Sequence, residues 1–296
     1  MALNALENDT FARPAGAGDY AGLPESVQRG VVSLLPIVGQ ACANFRRAGD
    51  MEPGFYEVTA IKSPVGVGVT GAAYCELGGI LKVDTAGAAY TVANEYVASR
   101  LALLLGLPVP PGTVVKLKNG DLGYAMMKFG LAGDSPPPMD AAAFVAHRPY
   151  LAAGIVLFDA WILNADRHSG NIAYIPPSRD LVSVFDHSHC LLGIHKGKAV
   201  DRLTALIDDT HLGHGALVAH LKKTTDLESI AGQIAGIRET TIREICRPLS
   251  GLGVCTKAER DKLVEVLIHR SKALRDFVIR DRAKFTGISD DDWGLV

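Results

Sequence analysis

The sequence predicts an α+β protein whose strands come first and whose helices come last. Between about residues 55 and 129, short runs rich in valine, isoleucine and tyrosine alternate with glycine-containing turns, which is typical of strands. After residue 140, apolar residues recur at helical spacing, and two Thr-x-x-Glu sequences predict helix N-termini. Residues 130–138, with three consecutive prolines, separate the halves. We therefore expect a partly disordered N-terminal extension (1–50), a small β-rich lobe with one helix (51–130) and a mainly helical lobe (131–296).

The composition is that of an ordinary globular protein. The chain has 296 residues, 48% of them hydrophobic, and a formal net charge of −2, so no basic excess indicates a nucleic-acid partner. Five cysteines without C-x-x-C spacing favour a reducing compartment. The N-terminus lacks the pattern of a secretory signal, and the apolar run Gly30–Ala43 is too short for a membrane span. We expect a soluble cytoplasmic protein without a membrane partner.

A glycine-rich stretch follows the first predicted strand, residues 55–62. Its G-x-G-x-x-G spacing is formed by Gly66, Gly68 and Gly71. In a dinucleotide-binding turn such glycines would open a helix, but here the sequence predicts a β-hairpin, Ala72–Leu77 and Ile80–Val83, around the turn Gly78-Gly79. Because glycine allows close approach of the backbone, N–H groups in this stretch could bind phosphate oxygens. A flexible surface turn is the alternative.

A single lysine, Lys82, lies within the second strand of that hairpin. Apolar residues at helical spacing then predict a helix over Thr91–Leu105, which Gly106 and the proline beyond it would end. Glu95 lies one turn into the helix, where it could pair with Lys82. The alternatives are a lysine that faces solvent and a glutamate favoured only by the helix dipole. Two further strands, Thr113–Leu117 and Leu122–Phe129, are predicted before the linker.

The most distinctive stretch of the chain is Asp159–Gly193. A polar loop with Asp166 and Asn171 lies between an apolar helical segment and a predicted pair of short strands. Asp186 follows the second of these strands, which returns it to the side of the loop. Two carboxylates and one carboxamide would then surround one point. Oxygen ligands of this kind suit a magnesium ion that also binds phosphates.

The rest of the chain is predicted to be helical. Asp140 caps a helical run that breaks at Pro149 and continues to Leu163. The two capping boxes begin at Thr225 and Thr256. Later helices are expected over Asp201–Ile207, over Ala216–Leu221, from Thr225 to about Cys246 before the stop at Pro248, and from Thr256 onward.

The order of the polar residues resembles that in kinases. Protein kinases have a base Asp, a metal-binding Asn five residues later and a second metal-binding Asp on a following loop, which is the order of Asp166, Asn171 and Asp186. The triplet Asp166-Arg167-His168 reverses the His-Arg-Asp of ordinary protein kinases. It looks like the loop of phosphatidylinositol kinases and, more closely, of HipA-like kinases. The strings NADRHSGN, FDHS and NEYVASRLALLLGLPVPPG carry this resemblance.

The resemblance implies a bilobal protein-kinase-like fold and an activity. The protein would transfer the γ-phosphate of ATP to a hydroxyl acceptor and would bind ATP and Mg²⁺. A protein serine or threonine is the favoured acceptor, while a lipid, a sugar or a nucleotide stays open.

The resemblance also implies a role for each candidate residue. Asp166 would orient the acceptor hydroxyl and take its proton, and Asn171 and Asp186 would bind Mg²⁺. His168 would stabilise charge on the transferred group, and Arg167 would anchor the loop. The residues expected to contact ATP are Gly66, Gly68, Gly71, Lys82, Glu95 and Met127. Among these, Lys82, supported by Glu95, and the glycines would bind phosphates, and Met127 would contact adenine beside Met126.

Two other functions remain open. In a metal-dependent phosphohydrolase, imidazole, thiolate and carboxylate groups would bind zinc or iron. The residues available for such a site are His168, His187, His189, Cys190, Asp166 and Asp186. This alternative leaves the glycine stretch and Lys82 without a role. A pseudokinase would bind nucleotide without turnover, although the complete Asp-Asn-Asp set favours an active enzyme.

Overall fold

The computed structural model describes residues 58–64, 72–128, 139–175, 181–213 and 215–295. In these residues the chain forms small antiparallel sheets and helices, with most strands in the first half and most helices in the second. The N-terminal extension, the glycines at positions 66, 68 and 71 and the linker at 130–138 lie outside the described residues. The division into lobes at the predicted boundaries stays a prediction.

The first five strands form two sheets. They are β1 (Val58–Pro64), β2 (Ala73–Leu77), β3 (Gly79–Val83), β4 (Gly112–Lys116) and β5 (Leu122–Met127). β1 pairs antiparallel with β2, so the glycine-rich stretch lies between two antiparallel strands in the sequence. The second sheet has the order β3-β5-β4, with both pairs antiparallel.

The predicted hairpin between β2 and β3 is wrong. β2 pairs with β1, whereas β3 pairs with β5. Only Gly78 separates β2 from β3, which is less than the two-residue loop of the shortest common hairpins. The Gly78 carbonyl accepts a hydrogen bond from Lys128 N at 2.9 Å. The chain therefore passes from one sheet into the other at Gly78, and the register places Lys82 opposite Tyr124 of the central strand β5.

Helix α1 (Thr91–Leu104) carries Glu95 and packs against β3, β4 and β5. Most of its residues are buried, including Asn94 and Glu95. It ends beside Gly106, whose φ of 70° is the left-handed conformation that glycine adopts at low cost. Because buried polar groups require hydrogen-bond partners, the side chains of Asn94 and Glu95 must be satisfied by neighbouring elements.

Two helices lead into the polar loop, as predicted. Helix α2 (Ala141–His147) is capped by Asp140, whose Oδ1 accepts from Ala143 N at 3.0 Å. Helix α3 (Pro149–Trp161) begins with its proline in the first turn, where the missing N–H costs nothing. In the described residues no single helix meets the length and hydropathy expected of a membrane span. α2 and α3 meet it only as a pair, with a bend of 117° between them.

The second half contains one short hairpin and five further helices among the described residues. The hairpin strands are β6 (Ile172–Ile175) and β7 (Leu181–Val184). The helices are α4 (Ala199–Leu206), α5 (Thr224–Ala235), α6 (Glu239–Cys246), α7 (Pro248–Leu252) and α8 (Lys257–Arg280). Short 3-10 turns lie at Ser169–Asn171, Val218–His220, Arg282–Lys284 and Asp290–Leu295.

Of the two predicted capping boxes, the second is confirmed and the first is wrong. Thr256 and Glu259 form the reciprocal capping box of α8. Thr225, in contrast, lies inside the first turn of α5, whose N-cap is Lys223. The predicted single helix to Cys246 is also two helices, because Gly236 follows the last residue of α5. The predicted helix at 216–221 is reduced to one 3-10 turn.

Arg270 joins α8 to the helices around it. Its side chain is fully buried and donates to the carbonyls of five residues at the ends of other helices and in the loop that follows them. These residues are Ala160, Trp161, Leu206, Ile207 and Asp209. Its guanidinium also lies 4.9 Å from the centre of the Phe277 ring. One side chain thus satisfies carbonyls at the ends of α3 and α4, which lack partners within their own helices.

Replacement of Arg270 by leucine should strongly destabilise the protein. The variant removes a donor from each of five carbonyls that are buried or partly buried, so we expect a loss of about 3 kcal/mol or more in the free energy of unfolding. Urea denaturation measures this change in the free energy of unfolding. Arg275→Leu is the matched control on the same helix, because Arg275 is exposed and pairs with Glu228 at 3.4 Å. Its expected cost is below about 1 kcal/mol, and equal losses in both variants would contradict the assigned role.

Candidate active site

Three charged side chains from distant parts of the chain meet at one point. Lys82 Nζ lies 2.6 Å from Glu95 Oε1 and 2.8 Å from Asp186 Oδ1. The lysine comes from β3, the glutamate from α1 and the aspartate from the residues after β7. The exposed fraction of the side chain is 2% for Glu95, 18% for Lys82 and 41% for Asp186. The cluster therefore has a buried anchor and an end that is open to solvent.

The surroundings of Glu95 keep it ionised. Burial alone would raise its pKa, but contacts with the His187 ring and with Lys82 outweigh burial and lower the pKa to about 2. The His187 backbone N–H donates to Glu95 Oε1 at 2.9 Å, and its ring Nδ1 lies 3.7 Å from Oε2. A buried carboxylate with several donors is stable as the anion.

Asp186 and Lys82 are charged for a related reason. Burial would raise the pKa of Asp186, but the Lys82 ammonium and Ser188 lower it to about 2. For Lys82, burial acts to lower the pKa, and the two carboxylates together raise it above its ordinary value. The cluster thus presents a cation and an anionic oxygen ligand side by side at neutral pH.

Helix α1 is fixed to the helical half by residues on either side of this cluster. Asn94 donates to the carbonyls of Ser188 and Gly193 at 2.7 and 3.0 Å and accepts from Leu192 N at 3.1 Å. Tyr90, just before the helix, donates to Glu259 of α8. These contacts hold Glu95 against the segment after Asp186 without help from a ligand.

The polar loop is anchored by a second buried ion pair. Arg167 is 1% exposed and binds both carboxylate oxygens of Asp159 on α3, at 2.9 and 3.0 Å. Its Nη1 donates to the carbonyls of Asn171 at 3.0 Å and Phe185 at 2.6 Å. Asn164 completes the anchor by donating to Asp159 at 2.8 Å. Arg167 therefore joins the polar loop to the residue that precedes Asp186, which brings the two segments together.

Asp166 and Asn171 lie at opposite ends of this loop. The Asp166 carbonyl accepts from Asn171 Nδ2 at 2.8 Å and from His168 N at 3.0 Å. Since the amide nitrogen of Asn171 is used in this way, any cation would be bound through its Oδ1. The Asp166 carboxylate is 44% exposed and lies 3.3 Å from Nδ1 of His189. Asp166 thus has a fixed backbone and an accessible carboxylate.

Local contacts and backbone conformation explain the positions of the His168 and Asp186 side chains. His168 is exposed, and its Nδ1 accepts from Gly170 N at 3.0 Å, which caps the short 3-10 turn. Asp186 has a left-handed φ of 61°, a conformation that aspartate tolerates better than most residues. This turn follows β7 directly, so the chain changes direction and the carboxylate reaches Lys82.

The predicted adenine contact at Met127 stays a prediction. Met126 is buried in the core, which leaves Met127 as the partly exposed member of the pair. The Met127 N–H already donates to Pro111 O and the Lys128 N–H to Gly78 O, both at 2.9 Å. These two backbone donors are therefore used within the sheet, and Met127 would contribute its side chain. The three glycines expected to bind phosphate lie outside the described residues.

The metal cluster of the phosphohydrolase alternative does not form. In the part of the chain that the structure describes, no group of three or more His, Cys, Asp or Glu side chains is arranged to hold a metal. His187 is buried with its ring 5.9 Å from that of Phe158, in an edge-to-face contact. Cys190 is fully buried, and burial raises the pKa of its thiol well above the ordinary value. Thiolate and imidazole ligands are thus not gathered at Asp186.

Several residues of the site were not found from the sequence. Asn94 and Ser188 join α1 to the Asp186 segment, and Tyr90 joins the start of the helix to α8. Asn94 and Ser188 belong to the strings that carry the resemblance, but no role was predicted for their side chains. The partners of Asn94 lie about 95 residues away in the sequence, so its contacts could not be predicted from its position in the helix. Asp159 was part of the distinctive stretch, but its pairing with Arg167 was not predicted.

No protein-family model matches the chain, and no curated protein matches it significantly. Among solved structures it is similar to the Helicobacter pylori proinflammatory kinase CtkA, with 15% identity and a TM-score of 0.48 over 70% of this chain and 94% of that one. It is also similar to the Shewanella oneidensis toxin–antitoxin complex of HipA, HipB and operator DNA, with 15% identity and a TM-score of 0.41 over 80% and 69%.

The lowered pKa of Glu95 predicts a pH-dependent stability. The folded protein has a pKa of about 2 at Glu95, whereas the ordinary value is 4.5. The unfolded chain therefore binds more protons between these values, so the stabilisation is complete above pH 4.5 and is lost as the pH falls toward 2. In urea denaturation between pH 5 and 3, Glu95→Gln should lower the slope of unfolding free energy against pH by about 1 kcal/mol per pH unit.

The control for this experiment is Glu239→Gln. Glu239 is 54% exposed and forms an ordinary surface pair with Arg243, so its variant should keep the slope of the wild type. Equal slopes for wild type and Glu95→Gln would mean that Glu95 does not carry the expected proton linkage.

Proposed function

We propose that this protein is a HipA-like kinase that transfers the γ-phosphate of ATP to a hydroxyl group. The observation that carries the proposal is the contact of Lys82 with both Glu95 and Asp186, at 2.6 and 2.8 Å. Kinases require a strand lysine paired with a helix glutamate, and a metal-binding aspartate on a following loop. The sequence resemblance over the loop region supports the same proposal independently.

The residues present fit a magnesium ion with ATP. Asp186 is ionised and partly exposed, and Asn171 would offer Oδ1, so the protein supplies few hard oxygen ligands and leaves the others to water and phosphate. Mg²⁺, when bound, neutralises phosphate charge and orients the reacting group. Lys82 would bind phosphate oxygens, with Glu95 as its buried support.

Asp166 is the proposed base. Its carboxylate is accessible, and its backbone is fixed through Asn164, His168 and Asn171. It would orient the acceptor hydroxyl and take its proton. Arg167, held by Asp159, would keep Asp166 and Asp186 at a constant separation, because it bonds to both segments. Positioning and electrostatics of this kind supply most of the catalysis in phosphoryl transfer.

Other assignments extend this proposal. A protein serine or threonine is the acceptor that the family resemblance favours. His168 is exposed beside Asp166 and would stabilise charge on the transferred group. The glycine-rich stretch would cover the phosphates, and the Met127 side chain would contact adenine. A pseudokinase remains the second candidate, because nucleotide binding requires only part of this set of residues.

The direct test is transfer of label from γ-labelled ATP to proteins of a cell lysate with Mg²⁺. The wild type should transfer label, and Asp166→Asn should transfer it about 10²- to 10⁴-fold more slowly, as expected for loss of a general base. Nucleotide affinity should change far less. Asp276→Asn, at an exposed position of α8, is the control and should match the wild type.

The outcomes separate the two candidates. Binding of Mg–ATP without any transfer to protein, lipid or small-molecule acceptors would support the pseudokinase. Wild-type transfer by Asp166→Asn would contradict the role of Asp166 as the base.

A further inference from the structure

A serine hydroxyl lies at the centre of the charged cluster. Ser188 Oγ is 2.8 Å from Asp186 Oδ1, 3.0 Å from Glu95 Oε1 and 3.3 Å from Lys82 Nζ. A hydroxyl has one hydrogen, so it cannot donate to both carboxylates at the same time. With Lys82 donating to Oγ, the hydroxyl hydrogen has two alternative acceptors within reach, and a rotation about one bond exchanges them.

The position of the hydroxyl does not depend on a ligand. The Ser188 carbonyl accepts from Asn94 Nδ2 at 2.7 Å, and the preceding N–H, that of His187, donates to Glu95 at 2.9 Å. Both contacts join the backbone around Ser188 to α1. Oγ therefore stays beside Glu95 even when Lys82 and Asp186 change partners.

The carboxylates of Glu95 and Asp186 differ in their dependence on the hydrogen bond from the Ser188 hydroxyl. Glu95 is 2% exposed, so water cannot replace a hydrogen-bond donor that its carboxylate loses. Asp186 is 41% exposed and can gain water or a cation. When Lys82 moves toward a phosphate, Glu95 loses a close donor, and the Ser188 hydroxyl is near enough to supply a replacement.

We propose that Ser188 is a positioning residue whose hydroxyl turns from Asp186 to Glu95 when Mg²⁺ and nucleotide bind. Asp186 is then free to bind the metal, and Lys82 can reach a phosphate while the buried Glu95 charge keeps its hydrogen bonds. This inference rests on the proposed function, and it assigns to Ser188 a role in the coupling between metal and nucleotide rather than in contact with substrate.

Calorimetric titration with a non-hydrolysable ATP analogue, with and without Mg²⁺, tests this role. In the wild type, Mg²⁺ should tighten binding. The dissociation constant without Mg²⁺ divided by that with Mg²⁺ measures this tightening. In Ser188→Ala this ratio should fall about tenfold or more, the loss expected for a hydrogen bond to a charged group. Ser188→Thr keeps the hydroxyl and should restore the ratio to within about threefold. A merely structural defect would weaken binding equally with and without Mg²⁺.

The possible outcomes are distinguishable. If the wild type binds with Mg²⁺ and Ser188→Ala keeps the same ratio, the inference about Ser188 is wrong and the proposed function stands. Equal weakening in both conditions, or failure of Ser188→Thr to restore the ratio, also overturns it. If the wild type binds no nucleotide, both the inference and the proposed function fail.

Discussion

The buried carboxylate of Glu95 sets the arrangement of the site. An anion that is 2% exposed is stable only when donors surround it, and its donors come from β3 through Lys82 and from the segment after β7 through His187 and Ser188. Strand, helix and loop must therefore meet at one point for the fold to form. Asp186 joins the same cluster at its open end, so the requirement for a satisfied charge also places a cation and an anionic ligand next to each other.

A second buried ion pair, between Arg167 and Asp159, fixes the position of the polar loop. Arg167 and Asp159 are both buried and form a two-point contact, and the remaining guanidinium nitrogen bonds to backbone on both sides of the β6–β7 hairpin. Such a planar group fixes orientation as well as distance. The backbone of Asp166 is consequently fixed, while its carboxylate stays accessible, with Nδ1 of His189 at 3.3 Å.

The parts that could be predicted from sequence were those with local signals. The break at Pro149, the cap at Asp140 and the capping box at Thr256 depend on neighbouring residues, and each was located correctly. The β2–β3 hairpin failed because Gly78-Gly79 suggests a turn, whereas strand pairing depends on β5, more than 40 residues away. The pairing of Lys82 with Glu95 was anticipated by resemblance, but the hydroxyl of Ser188 and the amide of Asn94 were not. Apart from Asp186, which is two residues from Ser188, the partners of these two groups are distant in the sequence, so local patterns could not indicate them.

The most direct test of the phosphate site is the melting temperature of the protein with Mg²⁺ and a non-hydrolysable ATP analogue. The wild type should be stabilised, by about 2.7 kcal/mol at 100 times the dissociation constant. Lys82→Met should lose most of this stabilisation. Lys116→Met, at an exposed position of the same sheet, should retain it. No shift in the wild type up to millimolar nucleotide, or an equal shift in Lys82→Met, would contradict a phosphate site at Lys82, Glu95 and Asp186.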